Sequence, residues 1–536
     1  VVDVLIVGSG GAALTAALSL KAQGASVLVL GKQEPTNSQT SMAQGGINSV
    51  LDLENDSVSG HISDTIKSSR NLSDEVMIAK MCQDAPKAIE WLESIGVPFS
   101  RGEDGTVAQR QLGGAGNKRA CYSQDYTGLK ILHTLYDNIL KEDIKLLNNH
   151  YLLNLVVDDG ITKGAIVLDI STGKIEQIDA KATIIATGGY GSLYHGYTTN
   201  AFGSTGDGVA SVLRAGGYIS DMEFIQFHPT ALKSSSILIS ESARGEGGYL
   251  LNAKGERFVD ELLPRDVVAR AIYEQISLGE EVFLDIRHLG KEKLMELLPQ
   301  EVHLCKLHEG VDPSTQLIPI KPVAHYSMGG IDVDRSLAVR GIKGCFAVGE
   351  CSNAKVHGAN RLGGNSLLEI ISFGKLAGES AYSYAKDIER LEVSDNQLQK
   401  DIAHISELFE RDTSINFYKK REEIGKLFYD SVGIVRDEIS LKDALSKLQS
   451  IMERSSHMGI GDKSRRYNRN LIELLEFENS IELGEAVLHS AISRRESRGA
   501  HYRDDFKEQR DEEFAKHTLC KRSDNEITIS FERSYL

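Results

Sequence analysis

The amino-acid sequence predicts an α/β chain: a nucleotide-binding fold on a parallel sheet, interrupted by an inserted α+β capping domain and followed by a C-terminal helical domain. Three observations carry this. An apolar strand at the N-terminus runs directly into a glycine turn and a helix. The same strand-and-glycine texture returns after Gly329-Gly330. The stretches between and beyond these two read differently.

At 536 residues the chain is too long for one core; at roughly 150 residues per domain it implies about three or four folding units. The boundaries fall at 1–230 for the first part of the nucleotide-binding domain, 231–325 for the capping domain, 326–390 for the second part of the nucleotide-binding domain, 391–500 for the helical domain and 501–536 for a C-terminal extension.

Val1–Val7 reads as a buried strand. Gly8-Ser9-Gly10-Gly11-Ala12-Ala13 follows at once, then a helical stretch with Leu14, Ala17, Leu18 and Leu20 on one face, then the strand Val27–Leu30. This is the opening half of a Rossmann-like dinucleotide fold, in which backbone N–H groups at a helix N-terminus receive a pyrophosphate. The acid that would bind a nicotinamide dinucleotide's ribose is missing, because Leu30 is followed by Gly31-Lys32. The segment 37–46 has no hydrophobic period, and its glycines fit backbone lying flat against a planar ligand.

Further on come a helix over Asp74–Leu92, a glycine-rich loop at 102–117 and a strand at Ala182–Ala186. The capping stretch has short strands, charged turns and a helix at Lys291–Leu298. From about 395 the chain is helical; Ser440-x-x-Asp443 reads as a helix start, with Leu441, Ala444, Leu445, Leu448, Ile451 and Met452 as its apolar stripe. The last 35 residues or so are highly charged and are expected to wrap the surface.

A net charge of −16 argues against nucleic acid or anionic lipid as partner, so an anionic substrate would need a local cluster of Arg and His. Cys82, Cys121, Cys305, Cys345, Cys351 and Cys520 include no Cys-x-x-Cys, which argues against a zinc site or iron–sulfur cluster within the chain and for buried thiols in a reducing compartment. No apolar run approaches the roughly 20 residues that span a bilayer. The numbering opens on a strand without Met, which leaves an exported form open.

Gly8–Ala13, Gln44-Gly-Gly46, Thr205-Gly-Asp-Gly208, Phe227-His-Pro-Thr230, Arg244-Gly-Glu-Gly-Gly248, Pro264-Arg-Asp266, Ala324–Gly330, Ala347-Val-Gly-Glu350, His357–Ser366 and Arg495–His501 stand in one order along the chain. In that order they resemble the flavoprotein subunit of succinate dehydrogenase and fumarate reductase, a family with L-aspartate oxidase as a cousin. The resemblance implies a bound FAD held by Gly8, Gly10, Gly11, Ala13, Lys32, Thr40, Gly45, Gly46, Asp207, Glu350, Ser366 and Leu367. It implies that His228, Ser240, His325 and Arg361 hold the carboxylates of fumarate or succinate, Ser240 standing where family members often have Thr. It also implies that Arg265 is the proton donor and that Glu241 and Arg244 form its relay. Arginine, with a pKa above about 12, can act so only if held against the substrate carbon and reprotonated.

Two departures refine this. Covalent family members carry His in a Ser-His-Thr segment; here Ser38-Gln39-Thr40 has an amide instead, so the FAD is expected to be non-covalent, with a lean toward fumarate reduction. Aspartate oxidases place Glu immediately before a Gly-Gly pair in the loop resembling 110–114; here Leu112 precedes Gly113-Gly114. The resemblance further implies an iron–sulfur partner subunit, other subunits of an electron-transfer complex, and a cytoplasmic chain peripheral to a membrane through those partners. A stand-alone L-aspartate oxidase shares nearly every motif and is the alternative.

Overall fold

Val4, Leu5 and Ile6 are wholly buried on strand Val2–Val7, as expected for a strand covered on both faces. The computed structural model describes residues 1–389, 391–523 and 526–533; position 390, the expected end of the nucleotide-binding domain, and positions 524–525 and 534–536 of the expected C-terminal extension lie outside the described residues.

Strand Val2–Val7 pairs in parallel with Val27–Leu30 on one side and with the C-terminal half of Lys174–Ile185 on the other. Among the described residues the sheet runs in the order Lys145–Leu147, Val27–Leu30, Val2–Val7, Lys174–Ile185, Ile161–Asp169, His150–Asp158, with Cys345–Ala347 also parallel to Lys174–Ile185. Its last three strands form an antiparallel meander. Helix Gly11–Ala22 packs against helix Asn365–Ala385 through small residues; a Cβ at Gly374 would come within 2.8 Å of Thr15 Cβ. One nucleotide-binding fold is thus assembled from two widely separated stretches.

Between them lies a four-stranded antiparallel sheet, ordered Ile225–Leu232, Ile318–Ser327, Val282–Asp285, Tyr249–Leu251, among the described residues. Helices Arg265–Ser277, Lys291–Leu297 and Pro299–His308 accompany it. A separate core of Leu232, Ile239, Leu250, Val268, Ile272, Leu284 and Ile318 holds this unit together.

The C-terminal third carries helices Asn396–Glu410, Phe417–Ser431, Glu438–Glu453 and Arg469–Ser493. Two expectations change here. The helix expected to begin at Ser440 begins at Glu438, because the Asp437 carboxylate accepts from the N–H groups of Ile439 and Ser440, a cap contributing about 1 kcal/mol. Leu441, Ala444 and Leu448 of its stripe are buried, while Leu445, Ile451 and Met452 are half-buried against the same core. The charged C-terminal segment does not simply wrap the surface. Strands His517–Ser523 and Glu526–Glu532 form a hairpin that joins Ile219–Ser220, burying His517 through Cys520, with Lys521 and Arg522 half-buried beyond them and Glu526 and Glu532 exposed on the outer strand. No helix among the described residues is long and apolar enough to cross a membrane.

Candidate active site

Strand Val2–Val7 ends at Gly8, where φ is +122° and a Cβ would stand 2.0 Å from the Ala186 carbonyl oxygen, so only glycine fits. Helix Gly11–Ala22 starts behind Gly10 with no side-chain cap, and helix Asn365–Ala385 starts behind Gly364 with none. Both helices begin at one cleft enclosing about 1600 Å³, the solvent at its mouth included. The first-turn N–H groups of the two helices give it positive ends suited to a pyrophosphate and to an electron-rich ring edge.

Gly8, Gly10, Gly11, Lys32, Thr40, Gly45, Gly46, Asp207, Glu350, Ser366 and Leu367 all line this cleft. Ala13 does not: it faces the core beneath the first helical turn, and Ala12 stands on the wall. Thr40 Oγ1 accepts from Gly11 N–H at 3.1 Å. Ser38 Oγ, Gln44 Oε1 and Thr187 Oγ1 belong to wall residues and are buried without a protein partner, polar atoms of the kind that hydroxyls and ring nitrogens of FAD would satisfy. Gln39 is on the same wall, its Oε1 accepting from Ala201 N–H at 2.9 Å. Burial pushes the Glu350 carboxyl up to about 7, against the pull of the Ser327 N–H it accepts from at 3.0 Å.

Lys32 reaches Asp207 at 2.6 Å and Glu476 at 2.7 Å. Burial opposes its charge, but the two carboxylates outweigh burial and hold the ammonium well above the usual lysine range. Asp207 is the ionised partner, its acidity raised by Lys32 against burial and by bonds from Asn479 and Thr205; burial leaves Glu476 above the usual carboxylate range. Glu476 gave no sequence signal, being one of three acids, with Glu473 and Glu478, spaced along an apolar helix.

At the other end of the cleft stand His228, Ser240, Glu241, Arg265, His325 and Arg361. His228 and His325 face each other at 4.8 Å between ring centroids. His228 Nδ1 accepts from Thr230 N–H at 3.2 Å, which leaves the ring proton on Nε2, and His325 Nδ1 lies 2.7 Å from Thr199 Oγ1. Burial first, and then the Arg265 charge, push both imidazoles well below their ordinary value, so both are neutral. The positive charge of the site therefore resides in its arginines. Arg361 stacks on the Tyr326 ring at 4.2 Å and forms no ion pair among the described residues, with its Nε buried and unpartnered. Burial and the neighbouring Arg265 lower its pKa to about 10, leaving it charged at neutral pH and ready for a bidentate carboxylate.

Arg265 opens helix Arg265–Ser277. It donates to Glu241 Oε2 from Nη2 at 2.8 Å and from Nε at 3.2 Å, and to Gln226 Oε1 from Nη1 at 3.1 Å. Glu241 Oε1 accepts from Arg244 Nη2 at 3.2 Å, and Arg244 Nη1 donates to Glu261 O at 2.7 Å. Arg265 and Arg244 together hold the Glu241 carboxyl below its ordinary value in spite of burial. Arg244 lies behind the wall, one step from the cleft. Asp266 points away, to Arg70 at 2.7 Å and Arg270 at 3.2 Å, so Arg265-Asp266 is not an ion pair with itself. Gln226 also donates to Asn360 Oδ1 and Arg361 O, tying the two arginine-bearing segments together; an uncharged amide within a strand gave no sequence signal.

Ser240 caps the short helix Glu241–Gly245, its Oγ accepting from Ser242 N–H at 3.1 Å. Leu112 is 2 % exposed and lies on the cleft wall near Gly45, whereas Glu103 faces solvent. All six cysteines are buried and unpaired.

A family model described as an FAD binding domain matches residues 3–367, and one described as the fumarate reductase flavoprotein C-terminus matches residues 421–535. The 8-methylmenaquinol:fumarate reductase flavoprotein subunit of Wolinella succinogenes is 40% identical, covering 98% of this chain and 89% of its own. The succinate dehydrogenase flavoprotein subunit of Rickettsia conorii is 36% identical, with 96% and 92% covered. A solved quinol–fumarate reductase with menaquinol superposes with a TM-score of 0.96 at 36% identity, covering 100% of this chain and 98% of that one.

Proposed function

Because the chain belongs to the family of fumarate reductase and succinate dehydrogenase flavoprotein subunits, FAD-dependent oxidoreductases acting on CH–CH groups, we propose that it interconverts fumarate and succinate with Arg265 as the proton donor. The observation that carries this is Arg265 itself, held by Glu241 at a cleft wall it shares with His228, Ser240, His325 and Arg361.

In this reading Arg361 takes one carboxylate as a two-pronged donor, while His228, His325 and the Ser240 hydroxyl, turned from the Ser242 Oγ to which it donates at 2.9 Å, donate neutral hydrogen bonds to the other. When bound, FAD supplies the hydride exchange at its N5. Arg265 delivers a proton from a guanidinium nitrogen to the neighbouring carbon, and Glu241, with Arg244 behind it, returns one to Arg265. Polarising the carboxylate borne by the carbon that Arg265 protonates stabilises the negative charge that hydride addition to the other carbon develops there. The 231–325 unit forms the roof that excludes water.

Gln39 stands where a covalent attachment would need an imidazole, so FAD is held without a bond to the protein. Acid precipitation is expected to release yellow FAD into the supernatant; flavin fluorescence remaining with the denatured polypeptide would refute this. Electrons leave or arrive through an iron–sulfur partner subunit that docks this chain at a cytoplasmic membrane face. Protein bleached with dithionite is expected to regain its flavin absorbance on adding fumarate. Failure to do so, in a native monomer that turns over rapidly with oxygen alone, would replace this reading with L-aspartate oxidase.

A further inference from the structure

Glu301 and Asp125 are buried acids that the proposed chemistry leaves unused. Glu301 is wholly buried in the first turn of helix Pro299–His308, and Asp125 is wholly buried in the loop ahead of helix Thr127–Lys141. Glu301 N–H donates to Asp125 Oδ2 at 3.0 Å, so Asp125 fixes the start of the helix that carries Glu301. Glu301 Oε1 in turn accepts from Ser240 N–H at 2.9 Å. The second oxygen of each acid, Glu301 Oε2 and Asp125 Oδ1, is buried without a partner. A buried acid carrying only one bond is costly to keep unless that bond matters. The bond it keeps ends on a residue of the cleft wall.

We propose that Glu301 is a positioning residue for the dicarboxylate clamp: its carboxyl, carried on a helix start whose N–H is held by Asp125, fixes the Ser240 backbone and so places the Ser240 hydroxyl for the substrate. The inference rests on the dicarboxylate reading of the cleft. Without the Glu301 acceptor the Ser240 N–H would be buried and unsatisfied, and the turn entering helix Glu241–Gly245 would shift to find another partner. Burial, and then the charge of Asp125, keep Glu301 well above the usual carboxylate range, so it acts as a neutral acid whose carbonyl oxygen accepts. An amide at this position offers the same acceptor.

The test uses the FAD-loaded full chain with a reduced viologen as electron donor, together with the calorimetric Kd for malonate, a dicarboxylate that is not reduced. Glu301→Ala is expected to raise the fumarate KM and the malonate Kd at least tenfold, while kcat falls less than threefold and FAD content is unchanged. Glu301→Gln is expected to stay within twofold of the parent in all of these. In a Ser240→Ala background Glu301→Ala is expected to add less than twofold to either constant, because the effect travels through Ser240. A parent-like KM and Kd in Glu301→Ala, or a penalty undiminished in the Ser240→Ala background, would overturn the proposal. Should the alanine variant not accumulate, Glu301→Asp withdraws the carboxyl by one methylene and is expected to raise both constants at least fivefold; parent-like values there would overturn it equally. A parent that binds malonate but does not reduce fumarate sinks the functional reading alone, since the Kd comparison is still read.

Discussion

Arg265→Ala is expected to retain FAD and to bind a dicarboxylate nearly as the parent does, yet to lose fumarate reduction by about 10³- to 10⁴-fold, the upper range that general acid catalysis supplies. That loss corresponds to roughly 4–5.5 kcal/mol of barrier. Binding is spared because Arg361 carries the free positive charge in the pocket and the neutral His228 and His325 remain as donors. Glu241 keeps Arg244 as counter-ion at 3.2 Å, so the buried carboxylate is not stranded. The proton route loses its last member, and no other titratable side chain takes over, because Glu241 stands behind Arg265. The measurements are kcat with fumarate and Kd for malonate on the same preparation. Activity within tenfold of the parent would show that the proton comes from elsewhere; a Kd weakened as much as kcat would assign Arg265 to binding.

Fumarate and succinate are expected to exceed L-aspartate as substrates by a factor of a hundred or more in kcat/KM. Aspartate differs from succinate by one ammonium group, which needs a carboxylate beside it in a dry site. The wall offers Leu112 there, and Glu103 and Asp104, the acids upstream in the same loop, face solvent. Glu241 is already taken by Arg265 and Arg244. Burying an unpaired ammonium costs several kcal/mol, on the order of 10²-fold or more in discrimination. Comparing succinate and L-aspartate oxidation with one artificial acceptor checks this, and a preference for aspartate would transfer the chain to the oxidase reading while leaving the FAD cleft intact.

What could be read from the chain beforehand was local. Gly8 through Ala12 declare a dinucleotide turn because strand, turn and helix are contiguous and each obeys a short-range rule. The clamp residues were legible only through the resemblance, since nothing about His228 or Arg361 taken singly separates a ligand from a buried side chain. Gln226, Glu301 and Glu476 were not legible at all. Their partners lie 39, 61 and 444 residues away, and no periodicity spans such distances. At the C-terminus, charge was mistaken for surface: the outer strand of the hairpin alternates, and its inner strand hides His517 against Asp221 at 2.5 Å.

The bond between Lys32 and Glu476 also orders events during synthesis. The glycine turn leaves the ribosome well ahead of Glu476, which follows 444 residues after Lys32. At roughly 5–20 residues per second that is a delay of about 20–90 s. For most of it the N-terminal strand also lacks helix Asn365–Ala385, whose uncapped start forms the opposite wall. A nascent chain therefore owns the phosphate-binding turn long before it owns a closed cleft, and firm capture of the cofactor waits until helix Arg469–Ser493 has been made.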